Sequence, residues 1–296
     1  MSLVSAIKSV ELEITGTCQL QCSHCCTKSG PDVPAGEMTR ENWLAVIDDV
    51  ARLGIPAVQF IGGEPTLSPH LPEFIDRALD RGLKVEVYSN LSHIGPVLWS
   101  AFSQPGVCLA TSFYSDQAAQ HEEITRGKGS FARTRGNIVE ALAKGIEMRV
   151  GIVEVLPEQR VEEAVAELRE LGVQRIQVDR VRKVGRAAGE HGGNTTKELC
   201  GHCFRHRVSV SPDGKVSGCI LSRFMVAGNV RERSLADILT SDRYAELTHS
   251  VPMPVKGACP PDDSSDCDPA NTIACDPAYY APPATPVLLS IGGPRP

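Results

Sequence analysis

Three cysteines near the start of the chain, Cys18, Cys22 and Cys25, have the spacing C-x3-C-x2-C and follow the apolar run VELEI. Three thiolates on one short loop can hold an iron–sulfur cube and leave one iron open, because a closed site needs a fourth ligand. Cys26 comes next, but neighbouring residues cannot easily aim both side chains at one cube. We therefore expect Cys26 to pack as a small apolar thiol. The alternative for this loop is structural zinc, although zinc usually takes paired C-x2-C units.

A second set of cysteines lies in the last third of the chain, namely Cys200, Cys203, Cys219, Cys259, Cys267 and Cys275. The chain has 11 cysteines, and in a reducing cytoplasm metal or redox chemistry explains them more readily than disulfides do. Because C-x2-C is also a zinc-ribbon signature, structural zinc stays an alternative here too. Cys108 begins a predicted strand, and we expect it in the core.

Composition limits the function classes. The 296 residues are 42% hydrophobic and 22% charged, enough for one large domain plus a smaller one. A net charge of -6 and a pI near 5.8 argue against a nucleic-acid-binding surface and favour a neutral or cationic substrate. The N-terminus has no signal-peptide pattern and the sequence has no run of 18 apolar residues, so we expect neither a membrane partner nor secretion. The expected compartment is the cytoplasm.

Two kinds of segment must position the first cysteines. Short β-branched runs predict six strands over 10–15, 57–61, 84–89, 107–113, 148–155 and 175–181. Amphipathic stretches between them predict helices over 39–54, 70–82, 131–145 and 160–172. This alternation implies parallel strands with right-handed crossovers. The fold class is therefore α/β, with an open, partial (β/α)6 TIM-like barrel as first choice and a doubly wound sheet as second.

Composition shifts after the sixth strand. We expect the barrel in residues 1–190, a small cysteine-rich domain in 191–276 and a Pro-rich tail in 277–296. Within the second domain, RVSVS and KVSGC flank Pro212, Asp213 and Gly214, which predicts a β-hairpin. The stretch SLADILTSDRYAEL then predicts a helix.

These motifs, in this order, resemble the radical S-adenosylmethionine (SAM) superfamily, whose hallmark is C-x3-C-x2-C after the first strand of a partial (β/α)6 barrel. The segment GGEP ends the second predicted strand, and the resemblance implies that it binds the amino group of SAM. The resemblance also implies that His24 lies beside adenine and that strand-end residues contact the ribose and carboxylate. The residues implied to bind SAM are Gly62, Gly63, Glu64, Pro65, His24, Ser89, Asn90, Ser112 and Arg126.

The resemblance implies a chemistry as well as a fold. An electron from a [4Fe-4S] cluster held by Cys18, Cys22 and Cys25 would cleave SAM, and the resulting 5′-deoxyadenosyl radical would abstract a hydrogen atom from an unactivated C–H bond. A flavodoxin- or ferredoxin-type protein would supply the electron. The barrel would exclude water and position the C–H bond at the carboxyl ends of its strands.

The second cysteine set resembles the opening of a SPASM or shorter twitch domain, which carries auxiliary [4Fe-4S] clusters. Cys203 and the G-x4-C ending at Cys219 match that opening, and the stretch VGRA (184–187) is also common in these enzymes. The later spacing, C-x7-C-x7-C, departs from the SPASM pattern, and six thiolates suffice for one auxiliary cluster. We assign Cys200, Cys203 and Cys219 plus one of Cys267 or Cys275 to it. A spare thiol can donate a hydrogen atom, and Cys259 is the candidate.

Radical chemistry of this kind can serve several substrate classes. The first cysteine motif begins at residue 18 without an N-terminal peptide-recognition domain before it, so we expect a small, sugar-like substrate of the aminoglycoside type that is epimerised or oxidised. The alternative is an enzyme that crosslinks, epimerises or forms a thioether in a ribosomally made peptide. A zinc-stabilised binding protein without catalysis is a third interpretation. Which polar residue near the strand ends contacts substrate stays open among Tyr114, Asp116, His121, Glu154, Asp179 and Arg182.

Overall fold

The computed structural model describes residues 4–189 and 195–252. Six strands alternate with helices, as the sequence predicted. The strands are β1 Ser9–Glu13, β2 Ala57–Ile61, β3 Lys84–Tyr88, β4 Val107–Ser112, β5 Met148–Glu154 and β6 Arg175–Arg180. The helices between them are α1 Arg40–Arg52, α2 Leu71–Asp80, α3 Pro96–Phe102, α4 Ala118–Thr125, α5 Ser130–Ala143 and α6 Val161–Glu170.

The strand order distinguishes the two predicted architectures. Strands β1 to β6 pair in parallel, each with its sequence neighbour. A doubly wound sheet would reverse its order at a switch point, whereas this order runs in one direction from β6 to β1. The partial-barrel prediction is therefore confirmed, and the doubly wound alternative is wrong.

Local signals explain the first helix. The Thr39 side chain accepts a hydrogen bond from the backbone of Asn42, and the Asn42 side chain accepts one from the backbone of Thr39, which closes a capping box. Trp43, Ile47 and Val50 lie on one face of α1 and are buried. Helix α1 is therefore held by its cap at one end and by the core along its length.

The cysteine-rich segment continues the barrel sheet. Strand β7 (Arg207–Val210) pairs in parallel with β1, on the side opposite β2. Strands β8 (Lys215–Ser217) and β9 (Gly228–Asn229) add antiparallel to β7, so the sheet formed by the described residues has nine strands. The predicted hairpin is present, with its turn at Pro212, Asp213 and Gly214. The domain boundary expected at residue 190 stays a prediction. Strand β1 before this boundary and strand β7 after it are hydrogen-bonded neighbours in one sheet.

The C-terminal helical stretch differs from expectation. Instead of one helix there are two, α7 (Leu235–Leu239) and α8 (Asp242–Ser250). Ser241 caps α8 by accepting a hydrogen bond from the backbone of Tyr244, and a capping serine favours a helix start over a helix interior. Within the described residues, no helix combines the length and apolarity needed to cross a bilayer.

The two faces of the barrel sheet have opposite character. Outward side chains such as Leu12, Phe60 and Val87 are apolar and fully buried beneath the helices. The inward face carries polar residues that are at most 8% exposed, among them Glu11, Gln59, Glu86, Arg149 and Gln177. Barrel interiors are usually filled by branched apolar side chains. This barrel therefore has an apolar outer core and a polar interior.

Candidate functional site

The first cysteine motif forms one wall of a cavity. The loop after β1 folds back on itself, with the Cys18 amide donating to Gly30 O at 3.1 Å and the Cys25 amide to Cys22 O at 3.2 Å. Cys18, Cys22 and Cys25 line a cavity of about 300 Å³ at the carboxyl ends of the strands. Cys26 lines the same cavity, and its packing as a small apolar thiol stays a prediction.

The chemistry of these thiols fits an iron–sulfur cluster. Burial raises the pKa of Cys18 and of Cys22 to about 12, so both thiols stay protonated unless a bound metal ion deprotonates them. The Cys18 sulfur accepts the Leu20 amide at 3.4 Å and the Asn90 Nδ2 at 3.8 Å. Such N–H···S hydrogen bonds suit a sulfur that carries negative charge.

Two glycines allow β2 to approach the cysteine loop. A Cβ at Gly62, whose φ is +140°, would lie 2.3 Å from Thr15 O, and a Cβ at Gly63 would lie 2.1 Å from Thr17 O. The Gly63 amide instead donates to Thr15 O at 2.7 Å. Both glycines line the cavity. Any larger residue would separate β2 from the loop that carries the cysteines.

Glu64, unlike Gly62 and Gly63, is not among the residues that line the cavity. It is 1% exposed, and its carboxylate accepts hydrogen bonds from Thr66 Oγ1 and Ser89 Oγ, both at 2.7 Å, and from the Asn90 amide at 2.8 Å. Burial nevertheless raises its pKa. Glu64 therefore ties the end of β2 to the end of β3 and fixes Asn90 at the cavity wall.

A row of polar side chains forms the opposite wall. Tyr88 Oη lies 3.0 Å from Ser112 Oγ, and Tyr114 Oη lies 3.2 Å from His24 Nε2. Burial, together with the charge of Arg186, lowers the pKa of His24 to about 4. His24 is therefore a neutral ring at neutral pH, which suits contact with an uncharged aromatic base.

The structure brings only part of the predicted SAM site into this cavity. His24, Gly62, Gly63, Asn90 and Ser112 line it. The predicted residues outside its lining are Glu64, Pro65, Ser89 and Arg126. The Arg126 side chain is exposed, so its implied role in binding SAM stays a prediction that these contacts do not support.

Of the six polar residues near the strand ends that could contact substrate, four line the cavity and two do not. Tyr114, His121, Asp179 and Arg182 line the cavity. Asp116 forms an ion pair with Arg160 at 2.7 Å. Glu154, at the end of β5, is exposed. Asp116 and Glu154 are therefore placed away from the cavity.

Sequence reasoning missed the role of Arg186. This residue belongs to VGRA, which we noted only as a recurring stretch. Its Nε donates to Cys22 O and its Nη2 to Ser29 O, both at 2.7 Å, while its amide donates to Cys25 O at 3.0 Å. The only signal in the sequence was its place in VGRA, a stretch to which we had assigned no chemical role. The structure shows that Arg186, in the segment after β6, holds the cysteine loop that follows β1.

The second cysteine set is also assembled. Cys203 and Cys219 are buried, with their sulfurs 2.9 Å apart. Contact with Cys200, then with Cys219, and burial raise the pKa of the Cys203 thiol. These three thiols therefore fit one ligand set. The other predicted residues of this set, Cys259, Cys267 and Cys275, lie outside the described residues.

The two cysteine sites are connected by Arg223. Its Nε lies 3.2 Å from Glu13 Oε1 at the end of β1, and its Nη1 donates to Thr27 O at 3.3 Å. Burial raises the pKa of Glu13 to about 7, although Arg223 opposes this shift. The segment after Cys219 therefore packs over the loop that carries Cys25.

Comparison with known proteins identifies the family. Residues 12–168 match the family model described as Radical SAM superfamily. The chain belongs to this superfamily. Residues 198–268 match SPASM, described as an iron-sulfur cluster-binding domain. This radical SAM enzyme therefore uses SAM, a SAM-binding [4Fe-4S] cluster and an auxiliary iron–sulfur cluster.

Curated relatives match parts of the chain. An AdoMet-dependent heme synthase of Methanosarcina barkeri is 32% identical over 145 residues, which are 49% of this chain and 41% of that protein. A PqqA peptide cyclase of Gluconobacter oxydans is 32% identical over 185 residues, which are 60% of this chain and 50% of that protein. The chain thus spans half the length of these relatives or less.

A solved structure shares the fold. Streptococcus suis SuiB bound to precursor peptide SuiA aligns with a TM-score of 0.67 at 14% identity, over 82% of this chain and 66% of that one. At this identity the likeness shows the fold alone. It agrees with the partial-barrel fold described above.

Proposed function

We propose that this radical SAM enzyme modifies a peptide by forming a crosslink, a thioether or an epimerised residue. The observation that carries the proposal is the match to a peptide cyclase, which is 32% identical over 185 residues, or 60% of this chain. The sequence alone favoured a sugar-like substrate, with a peptide as the alternative. The relatives support that alternative better than an aminoglycoside.

The geometry is compatible with a chain-like substrate. Strand β6 ends the order of the described sheet, and Asp179, Arg180 and Arg182 at its carboxyl end line the cavity. A barrel that is open beside β6 admits an extended peptide from the side, so that one residue reaches the cavity while its neighbours stay outside. When bound, SAM and the reduced cluster supply the radical that takes a hydrogen atom from this residue.

The chain's own residues have defined tasks in this proposal. Arg186 and the glycine pair hold the cysteine loop, and Asn90 donates to the Cys18 sulfur. His24 and Tyr114 form the wall that faces the expected adenine. Asp179 and Arg182, whose closest N–O distance is 3.1 Å, present one acidic and one basic group to the backbone of the incoming peptide.

The test uses the reconstituted holoenzyme in deuterated buffer with SAM and reductant. One reaction contains a random-sequence peptide library and a parallel reaction contains aminoglycosides, and products are followed by mass spectrometry. We expect peptide products that lose two hydrogens or gain one deuterium, while Cys22→Ala gives none. Turnover of aminoglycosides alone would refute the peptide proposal.

Two partner assignments accompany this function. We propose that a flavodoxin- or ferredoxin-type protein reduces the SAM-binding cluster, since the reaction needs one electron at low potential. We also propose a cytoplasmic location, because reduced thiols and cluster assembly suit that compartment. Reduction of the cluster by purified flavodoxin, followed by electron paramagnetic resonance, tests the first assignment.

A further inference from the structure

We call the cavity lined by Cys18, Cys22 and Cys25 the reaction cavity. A second cavity lies inside the barrel, next to it. It has a volume of about 210 Å³ and reaches Cys200 and Cys219 of the auxiliary site. We call it the inner cavity. The residues that line both cavities are Ile61, Tyr88, Val153, Asp179, Ile220 and Leu221. The two cavities therefore adjoin along these six side chains.

The charges around the inner cavity are already paired. Arg207 Nη1 lies 2.8 Å from Glu11 Oε1. Arg149 donates to both oxygens of Glu86, at 2.8 and 2.9 Å. All four side chains are at most 9% exposed. A further charged group here would be buried beside two complete ion pairs, and burial of a charge is strongly unfavourable unless the charge is itself paired.

Gln177 is the polar group that these pairs do not use. It lies on β6, lines the inner cavity and is 8% exposed. Among residues 4–189 and 195–252, its side-chain amide has no hydrogen-bond partner. Its cross-strand neighbour on β5 is Gly151, which has no side chain to fill the space opposite. A buried amide that is aimed into a cavity is a donor and an acceptor for whatever enters.

We propose that the inner cavity is a specificity pocket that binds a neutral polar side chain of the peptide substrate through Gln177. This inference rests on the proposed peptide function. A carboxamide is the best complement, because it can accept from and donate to the Gln177 amide at once. Because the Arg and Glu side chains around the pocket are already paired with one another, we expect carboxylates and ammonium groups to bind weakly. A hydrocarbon side chain would leave the Gln177 amide buried without a hydrogen-bond partner, which is also unfavourable.

Capped amino acids test the pocket without turnover. The probes are the N-acetyl amides of glutamine, glutamate, lysine and norleucine, added to the SAM-loaded holoenzyme, with affinities from saturation-transfer NMR. We expect the glutamine probe to bind at least tenfold more tightly than the other three. Equal binding of all four, or preference for the glutamate or norleucine probe, would overturn the proposal.

Two variants assign the selectivity to this residue. Gln177→Leu keeps a similar volume without the amide, and we expect it to lose the preference for the glutamine probe. Gln174→Leu, at an exposed glutamine just before β6, should keep it. Iron content and melting temperature of both variants establish that they fold. An unchanged preference in folded Gln177→Leu would refute the role of Gln177.

The outcome is separable from that of the peptide-turnover test. Selective binding of the glutamine probe that depends on Gln177 supports the pocket even if no library peptide is turned over. Conversely, turnover of peptides whose reacting region tolerates glutamate, lysine and norleucine equally would support the peptide function and overturn the pocket.

Discussion

Replacing Arg186 should loosen the SAM-binding cluster without removing any of its ligands. Two hydrogen bonds join the guanidinium to Cys22 O and Ser29 O at 2.7 Å. A hydrogen bond from a charged donor contributes about 1.5–3 kcal/mol. Because both carbonyls lie near a cavity and can be rehydrated, the low end applies, and the pair contributes about 3 kcal/mol. Since about 1.4 kcal/mol corresponds to a factor of ten, Arg186→Ala should open the loop about 100-fold more often.

The assay is the rate at which an anaerobic iron chelator removes iron from the first site. A Cys203→Ala background restricts the measurement to that site. We expect a rate about 100-fold faster for Arg186→Ala and about tenfold faster for Arg186→Lys, because a lysine can keep one of the two bonds. Arg180→Ala is the control, since Arg180 bonds Glu198 and not the cysteine loop. Iron loss from Arg186→Ala at the parent rate would refute the reasoning.

Three further predictions concern other parts of the site. Gly63→Ala should leave the first site empty, because a Cβ 2.1 Å from Thr17 O forces the cysteine loop away from β2. Iron content should then fall from about eight to about four atoms per chain, and full iron content would contradict this. Cys203→Ala should lower iron by the same amount yet keep SAM cleavage by dithionite, and a loss of cleavage with iron still at the first site would count against separate clusters. Burial lowers the pKa of His121 from 6.5 to about 4, so the unfolded chain binds more protons between these values and stability falls as pH drops through them. His121→Phe should remove about 3 kcal/mol of that loss, measured by urea unfolding at pH 7 and pH 4; equal pH dependence in both proteins would exclude it.

Much of the barrel was readable from the sequence because its signals are local. Apolar, β-branched runs predicted all six barrel strands to within two residues at each end. Helix α4 was missed, since AAQHEEIT has little separation of apolar and polar faces. Helix α3 was missed because PVLWSAF has only seven residues, too few to show a helical pattern of apolar positions.

The sequence predicted residues of the site only where one short segment contains the complete motif. Spacing identified Cys18, Cys22 and Cys25, and a strand-end position identified the glycine pair. Arg186 contacts a loop 157 or more residues earlier in the chain, and no local pattern encodes such a contact.

The polar interior of the barrel could not be predicted either, because its ion pairs join residues that are far apart in sequence. Glu11 and Arg207 are separated by 196 residues in sequence, and each alone resembles an ordinary exposed charge in a strand. Only the pairing of β1 with β7 brings them together. The polar inward face of the barrel could not be predicted for the same reason.

The position of β7 beside β1 has a consequence for biogenesis. During translation, the first strand presents one unsatisfied backbone edge until residues 207–210 leave the ribosome, and an open edge is a template for wrong pairing. Contacts this distant in sequence form late, because loop closure must come first. The nascent barrel consequently remains open beside Glu13 until the hairpin docks, and only then does the segment after Cys219 cover the loop that carries Cys25.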